Sequence, residues 1–280
     1  MPDRGILIFS YDGSFDGMLS MVFDSFVLKT LPSDVYVFGE EEPALLKIHT
    51  VETNFEHARR VERAAAEKLG GRALNLVKRG FLYDEGGKEL AILRFLWKGF
   101  REGKSAVGMI ADKDVNPLFR MATAVSNEQR LLMGFTRFSD ANGALVATIH
   151  PKHFVLPLLK GYFCARLWNE TFMIYDETHG AALVHSGNNT AIVPIEELTM
   201  PSETEDAFYR ELWKSYYSHI SIASRYNPAC RMAHMPKRFW ADMPEVRDEL
   251  ESGYRPELSR GTAKEISLKL KAEKQSALAE

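Results

Sequence analysis

Apolar positions along the chain change period several times, and each change predicts an element. Gly5 to Phe9 (GILIF) is a short unbroken apolar run, which reads as a buried strand. It stops at SYDGSFDG, a turn-rich stretch with two Asp-Gly steps. From Met18, the positions Leu19, Val22, Phe23, Phe26 and Val27 repeat at helical spacing until Thr30–Pro32. Asp34 to Phe38 reads as a second strand. Ala58, Val61, Ala65 and Leu69 form one helical stripe closed by Gly70–Gly71, and Leu74, Val77 and Phe81 predict the next helix. Leu90, Leu93, Trp97 and Phe100 predict another, ended by Gly103. The Asn116–Leu132 segment carries Met121, Val125 and Leu132 on one helical face.

From Gly134 to Leu198 the pattern becomes short β-rich runs: GFTRF, ALVATIHP, TFMIYD, AALVH and TAIVPIE. Polar turns with Gly or Asn separate them, which describes an antiparallel meander. A helix over Val155–Leu167 is set inside it. Phe208, Leu212, Tyr216 and Ile220 then recur every four residues, a helix burying one face. The fold class is therefore α+β: a strand-led, mostly helical N-terminal part, followed by an antiparallel sheet flanked by helices. Residues 1–85 form the N-terminal α/β and helical region, and 86–245 an α+β domain with a basic-aromatic C-terminal segment. Residues 246–280 are a charged tail, helical or disordered.

Composition narrows the class. At 280 residues with 45% hydrophobic and 26% charged residues, the chain has an ordinary globular composition with room for one large core or two modest ones. No apolar run approaches the ~18 residues of a membrane helix. MPDRGILIFSYDG lacks a signal-peptide cleavage site. Cys164 and Cys230 are isolated, which suits a reducing cytoplasm and argues against a structural zinc or an iron–sulfur cluster. No metal and no cofactor are expected in this chain.

Several polar residues interrupt the pattern in ways that invite chemistry. Asp12 lies in the loop between the first strand and the Met18 helix, where a carboxylate could act with Asp16. Helix capping by Asp12 or Ser14 is the plainer reading, and the glycine spacing fits neither a P-loop nor a dinucleotide fingerprint. Glu128 falls on the apolar stripe of its helix, and Arg166 falls within the stripe of Val155, Leu158, Leu159, Tyr162, Phe163 and Leu167. Two misplaced charges of opposite sign predict a buried pair, with Arg137 or Arg166 serving Glu128. His150, His153, His179 and His185 lack ligand spacing, and His153 is the one best placed to act as an acid or phosphate donor.

The run from Phe208 to Trp240 combines cations with aromatics. All but one of its charged residues are basic, in a protein of net charge −3. Arg225, Tyr226, Asn227, Arg231, Lys237 and Arg238 make a candidate nucleic-acid edge, since cations neutralise phosphates and flat rings stack on bases. Solvated turn residues around Pro228 and Pro236 are the plainer alternative. Trp240 has a competing place as a core anchor.

Motifs in order along the chain add a resemblance. YDGSFDG, NEQRLLMGFTRF, IHPKHF, YFCARLWNETFMIYD, LWKSYY, ISIASRYNP and MPKRFW resemble those of the bacterial family termed domain of unknown function 4130. Its members are described as DNA metabolism proteins linked to a radical-SAM partner. The resemblance implies DNA and a radical-SAM protein as partners, with any iron–sulfur cluster on the partner. It also leads one to expect a histidine where this chain has Tyr162.

Three functions are consistent with these readings. One is a DNA-binding protein of repair or modification. Another is an enzyme acting on a damaged or modified nucleotide, with Asp12, Glu128, Arg137, His153 and Arg166 as catalytic candidates. The last is a scaffold that docks its partner without binding DNA.

Overall fold

Strand β1 (Leu7–Tyr11) is the centre of a three-stranded sheet, flanked by β2 (Asp34–Val37) and β3 (Lys47–Thr50). Both neighbours run parallel to it, with Phe9 opposite Val35 on one side and His49 on the other. The structure is a computed structural model that describes residues 7–39, 47–141, 143–195, 212, 213, 215 and 227–247. The chain divides into two units, Met1–Glu128 and Gln129–Glu280.

In the first unit the predicted helices all form: α1 (Phe15–Val27), α2 (Phe55–Lys68), α3 (Gly71–Phe81), α4 (Lys88–Glu102) and the start of α5 (Asn116–Phe135). Their stripes meet over the sheet, and Phe9, Tyr11, Met18, Met21, Ile92, Phe95 and Leu96 are fully buried together. Ser14 caps α1 by accepting from the Gly17 amide, and Asn54 caps α2 by accepting from the Glu56 and His57 amides. Trp97 stacks on Phe26 at 4.5 Å and donates to the Ser25 hydroxyl at 2.8 Å, which pins α4 to α1. The hydrophobic pattern does not predict β3, because KIHT offers a single apolar residue.

The second unit contains a five-stranded sheet ordered β4 (Ser139–Ala141), β5 (Ala144–Ile149), β6 (Phe172–Asp176), β7 (Ala181–Ser186) and β8 (Asn189–Pro194). This sheet is mixed, which corrects the expected antiparallel meander: β5 and β6 are parallel, with Leu145 opposite Phe172. The reason is the helix between them, α6 (Leu156–Arg166), which carries the chain back so that β6 starts at the same end as β5. GFTRF is not a strand either. Gly134 and Phe135 close α5, and pairing begins only at Ser139.

The C-terminal part described comprises α7 (Pro228–His234) and a 3-10 segment, Lys237–Asp242. The expected Phe208 helix lies outside the described residues except for Leu212, Trp213 and Ser215, and so does nearly all of the charged tail. Among the described residues no helix is long and apolar enough to cross a membrane.

Candidate functional site

The basic segment is built by burying its rings. Asn227 caps α7, its side chain accepting from the Cys230 amide at 3.0 Å. Pro236 then starts the 3-10 segment, which turns Phe239 (2% exposed) and Trp240 (4%) inward. The Trp240 indole N–H, carried into the interior, donates to the Met235 carbonyl at 2.9 Å. Trp240 is thus the core anchor of its competing reading.

With the rings inside, the cations are left around them. The Arg231 guanidinium lies 4.7 Å and the Lys237 ammonium 5.8 Å from the Trp240 centroid, and Arg238 lies 4.5 Å from that of Phe239. Contact of this kind fixes the stems while Lys237 and Arg238 remain exposed and Arg231 half-buried. Asn227 is exposed beside them, with its carbonyl used in the cap. Arg225 and Tyr226 lie outside the described residues.

Among the described residues two acids stand at or just past the end of this segment, Asp242 and Glu245, and both face basic groups elsewhere. Asp242 faces His150 Nδ1 at 3.0 Å, and Glu177 faces Nε2 of the same ring at 2.8 Å. Glu245, whose side chain is 2% exposed, receives the Arg137 guanidinium at 2.6 Å. Arg137 also donates to the Gly134 carbonyl at 2.8 Å, satisfying a group at the C-terminus of α5.

The other residues singled out in the sequence divide between the units. Asp12 and Glu128 belong to the first, and Arg137, His153 and Arg166 to the second. Glu128 is buried, as its place on the stripe predicted (2% exposed). The expected partners are corrected. Arg137 is committed to Glu245, and Arg166 is exposed, donating to the Tyr162 hydroxyl at 3.2 Å. Arg166 ends α6, where the last turn rotates it off the buried face of Leu159 and Phe163. His153 is buried at 4% exposure.

Asp12 sits at the carboxyl end of the central strand, where the loops from β1 and β3 open at one edge. It accepts from the Ser14 amide (2.9 Å) and hydroxyl (2.7 Å), and from the Thr53 hydroxyl (2.7 Å). Desolvation raises its pKa, but the hydrogen bonds from Thr53 and Ser14 outweigh it and hold the carboxyl below its ordinary value. A side chain at Gly17 would run into Asp12 Oδ1 and come within 2.9 Å of Thr53 Oγ1, so this packing needs glycine. Asp12 therefore organises the loop while Ser14 supplies the cap.

The sequence marks these histidines but not their carboxylate partners. Fully buried Asp176 holds His179 Nδ1 at 2.7 Å and its amide at 3.1 Å, an arrangement that fixes an imidazole's orientation. The spacing of three in YDETHG was the only local signal for it. His185 Nδ1 lies 2.7 Å from the Thr190 hydroxyl, with Cys164 Sγ at 3.8 Å. Among the described residues no group of three or more His, Cys, Asp or Glu is placed to hold a metal ion.

His150 carries a pH dependence. Its hydrogen bond to Asp242 outweighs desolvation and, with the charges of Asp242 and Glu177, raises its pKa from 6.5 to about 9. A folded-state value above the unfolded one stabilises fully below about pH 6.5, and this stabilisation is lost as the pH rises through about 9. The ring is 43% exposed, so after screening the contribution is about 1 kcal/mol. Urea midpoints should fall between about pH 6 and about pH 9.5, and His150→Gln should remove that part of the slope. Equal slopes in parent and variant would show that His150 is not the group responsible.

No curated protein and no solved structure matches the chain. One protein family does, over a segment that holds all of the second unit's described elements and more than half of the sequence. The motifs from NEQRLLMGFTRF onward fall inside that segment, and YDGSFDG falls before it. Through residues 86–245 the chain belongs to the family described as domain of unknown function 4130.

Proposed function

We propose that this is a nucleic-acid-binding protein of DNA repair or modification, acting in the cytoplasm beside a radical-SAM enzyme. The observation that carries the binding is the charge arrangement of the Pro228–Asp242 segment. Arg231, Lys237 and Arg238 are held on two buried rings, while the neighbouring acids Asp242 and Glu245 are engaged by His150 and Arg137. A protein of net charge −3 thereby presents a locally cationic edge, and such an edge attracts phosphates. Affinity here is electrostatic and indifferent to sequence, because Phe239 and Trp240 are turned inward. The DNA context and the radical-SAM partner rest on the resemblance alone.

The test is a salt titration with a labelled single-stranded oligonucleotide. Three phosphate contacts predict a slope of roughly −2 in log K against log salt. Lys237→Ala/Arg238→Ala should flatten it by about 1.4 and weaken all sequences alike. Equal affinity in parent and variant, or no binding at low salt, would remove this edge as a nucleic-acid surface. Binding to a protein partner in place of DNA would favour the scaffold.

A further inference from the structure

A second cationic surface lies on α2, a helix that sequence patterning marks as purely structural. Its buried face is Ala58, Val61 and Ala65. The helical repeat places Arg59, Arg60 and Arg63 away from that face, where they line an open groove of about 570 Å³ with Glu56, Glu62 and Leu74. Leu74, from α3, supplies part of the apolar lining.

The charges in this groove do not cancel. Glu62 is taken by Lys78 at 2.7 Å. Glu56 stands in the first turn of α2, where it offsets the positive end of the helix dipole. Arg60 lies 5.7 Å from the centroid of the Phe23 ring, itself stacked on His57 at 3.8 Å, so its plane is held in place. Arg59 and Arg63 are exposed and have no carboxylate within ion-pair distance among the described residues. They stand one helical turn apart, about 6 Å along the axis. That is comparable to the separation of neighbouring phosphates on an extended strand.

We propose that this α2 groove is a second phosphate-binding seat, taking two neighbouring phosphates of a nucleic-acid strand on Arg59 and Arg63. Guanidinium forks bind phosphate oxygens in pairs, which favours arginine over lysine here. An open groove suits a strand that runs through it better than a small anion that would need enclosing. The identity of the anion rests on the nucleic-acid reading, whereas the seat itself rests on α2 alone.

The experiment uses the full chain, a labelled single-stranded oligonucleotide and Arg59→Gln/Arg63→Gln. Both side chains are exposed, so the variant should melt like the parent. With this seat added to the three contacts of the first edge, the parent slope becomes about −3.5; losing two contacts should flatten it by about 1.4, so that a fourfold rise in salt costs the variant about sevenfold less affinity than it costs the parent. Arg59→Lys/Arg63→Lys should keep most of the slope, because the charges remain. Should Lys237→Ala/Arg238→Ala weaken binding while Arg59→Gln/Arg63→Gln does not, the α2 seat is overturned and the first edge stands. The reverse outcome keeps the α2 seat and removes the other edge. A parent that binds no oligonucleotide at low salt overturns both.

Discussion

Arg137→Ala is expected to lower stability by about 3 kcal/mol, at the low end for breaking a buried ion pair because the arginine itself is 26% exposed. Glu245 is the cause. Its side chain is 2% exposed, Oε1 accepts from Arg137 at 2.6 and 3.2 Å, and Oε2 has no hydrogen-bond partner among the described residues. Deleting the guanidinium strands a carboxylate that is already under-served. It also removes the donor to the Gly134 carbonyl at the end of α5. At about 2–4 °C per kcal/mol, Tm should fall by about 6–12 °C. Glu245→Gln in the same background should recover part of the loss, because a neutral amide costs less to bury. A single variant melting within about 1 °C of the parent would contradict this account.

Trp240→Ala is expected to cost more, about 3–5 kcal/mol, the usual range for truncating a buried aromatic. The indole fills the space under the 3-10 segment, and its N–H satisfies the Met235 carbonyl. Truncation opens a cavity, leaves that carbonyl unpaired, and removes the surface on which Arg231 and Lys237 rest. Trp240→Phe keeps most of the volume and loses the hydrogen bond, so it should cost about 1 kcal/mol from that loss. The conservative variant should also keep its oligonucleotide affinity, since the cations act through charge. Chemical denaturation of the three proteins decides the point. Unchanged stability in Trp240→Ala, with binding lost, would make the ring a stacking platform instead of a core anchor.

What the sequence made legible is what local periodicity carries. The stripes of α2, α3 and α4 were plain, and Glu128 could be placed inside because its neighbours on the stripe are apolar. Strand direction was not legible, since alternation looks the same whichever way the next strand runs; the parallel β5–β6 pair is set by the path of α6. Partners of buried charges were not legible either. Glu245 sits in PEVRDE, which reads as a solvated stretch, and it is drawn inward by Met243 and Val246, both at 2% exposure or less. His150 meets Asp242 across 92 residues of chain, a distance over which no spacing rule operates. Arg166 misled because a side chain at a helix end leaves the stripe that its number suggests.

The central place of β1 sets an order of assembly during synthesis. It leaves the ribosome before β2 and β3, yet it must hydrogen-bond on both edges in parallel, so its backbone N–H and C=O groups wait for segments that follow by tens of residues. The second sheet faces no such wait over its last three strands. β7 turns into β8 through Gly187 and Asn188, with Gly187 at φ +57°, and β6 reaches β7 across another short turn, so these pairs can zip as they emerge. The parallel pairs of the first sheet, though earlier in the chain, therefore form more slowly than the β6–β7 and β7–β8 hairpins. Until β3 arrives, the run through Leu7–Tyr11 is the stretch for which a chaperone, or another nascent chain, would compete.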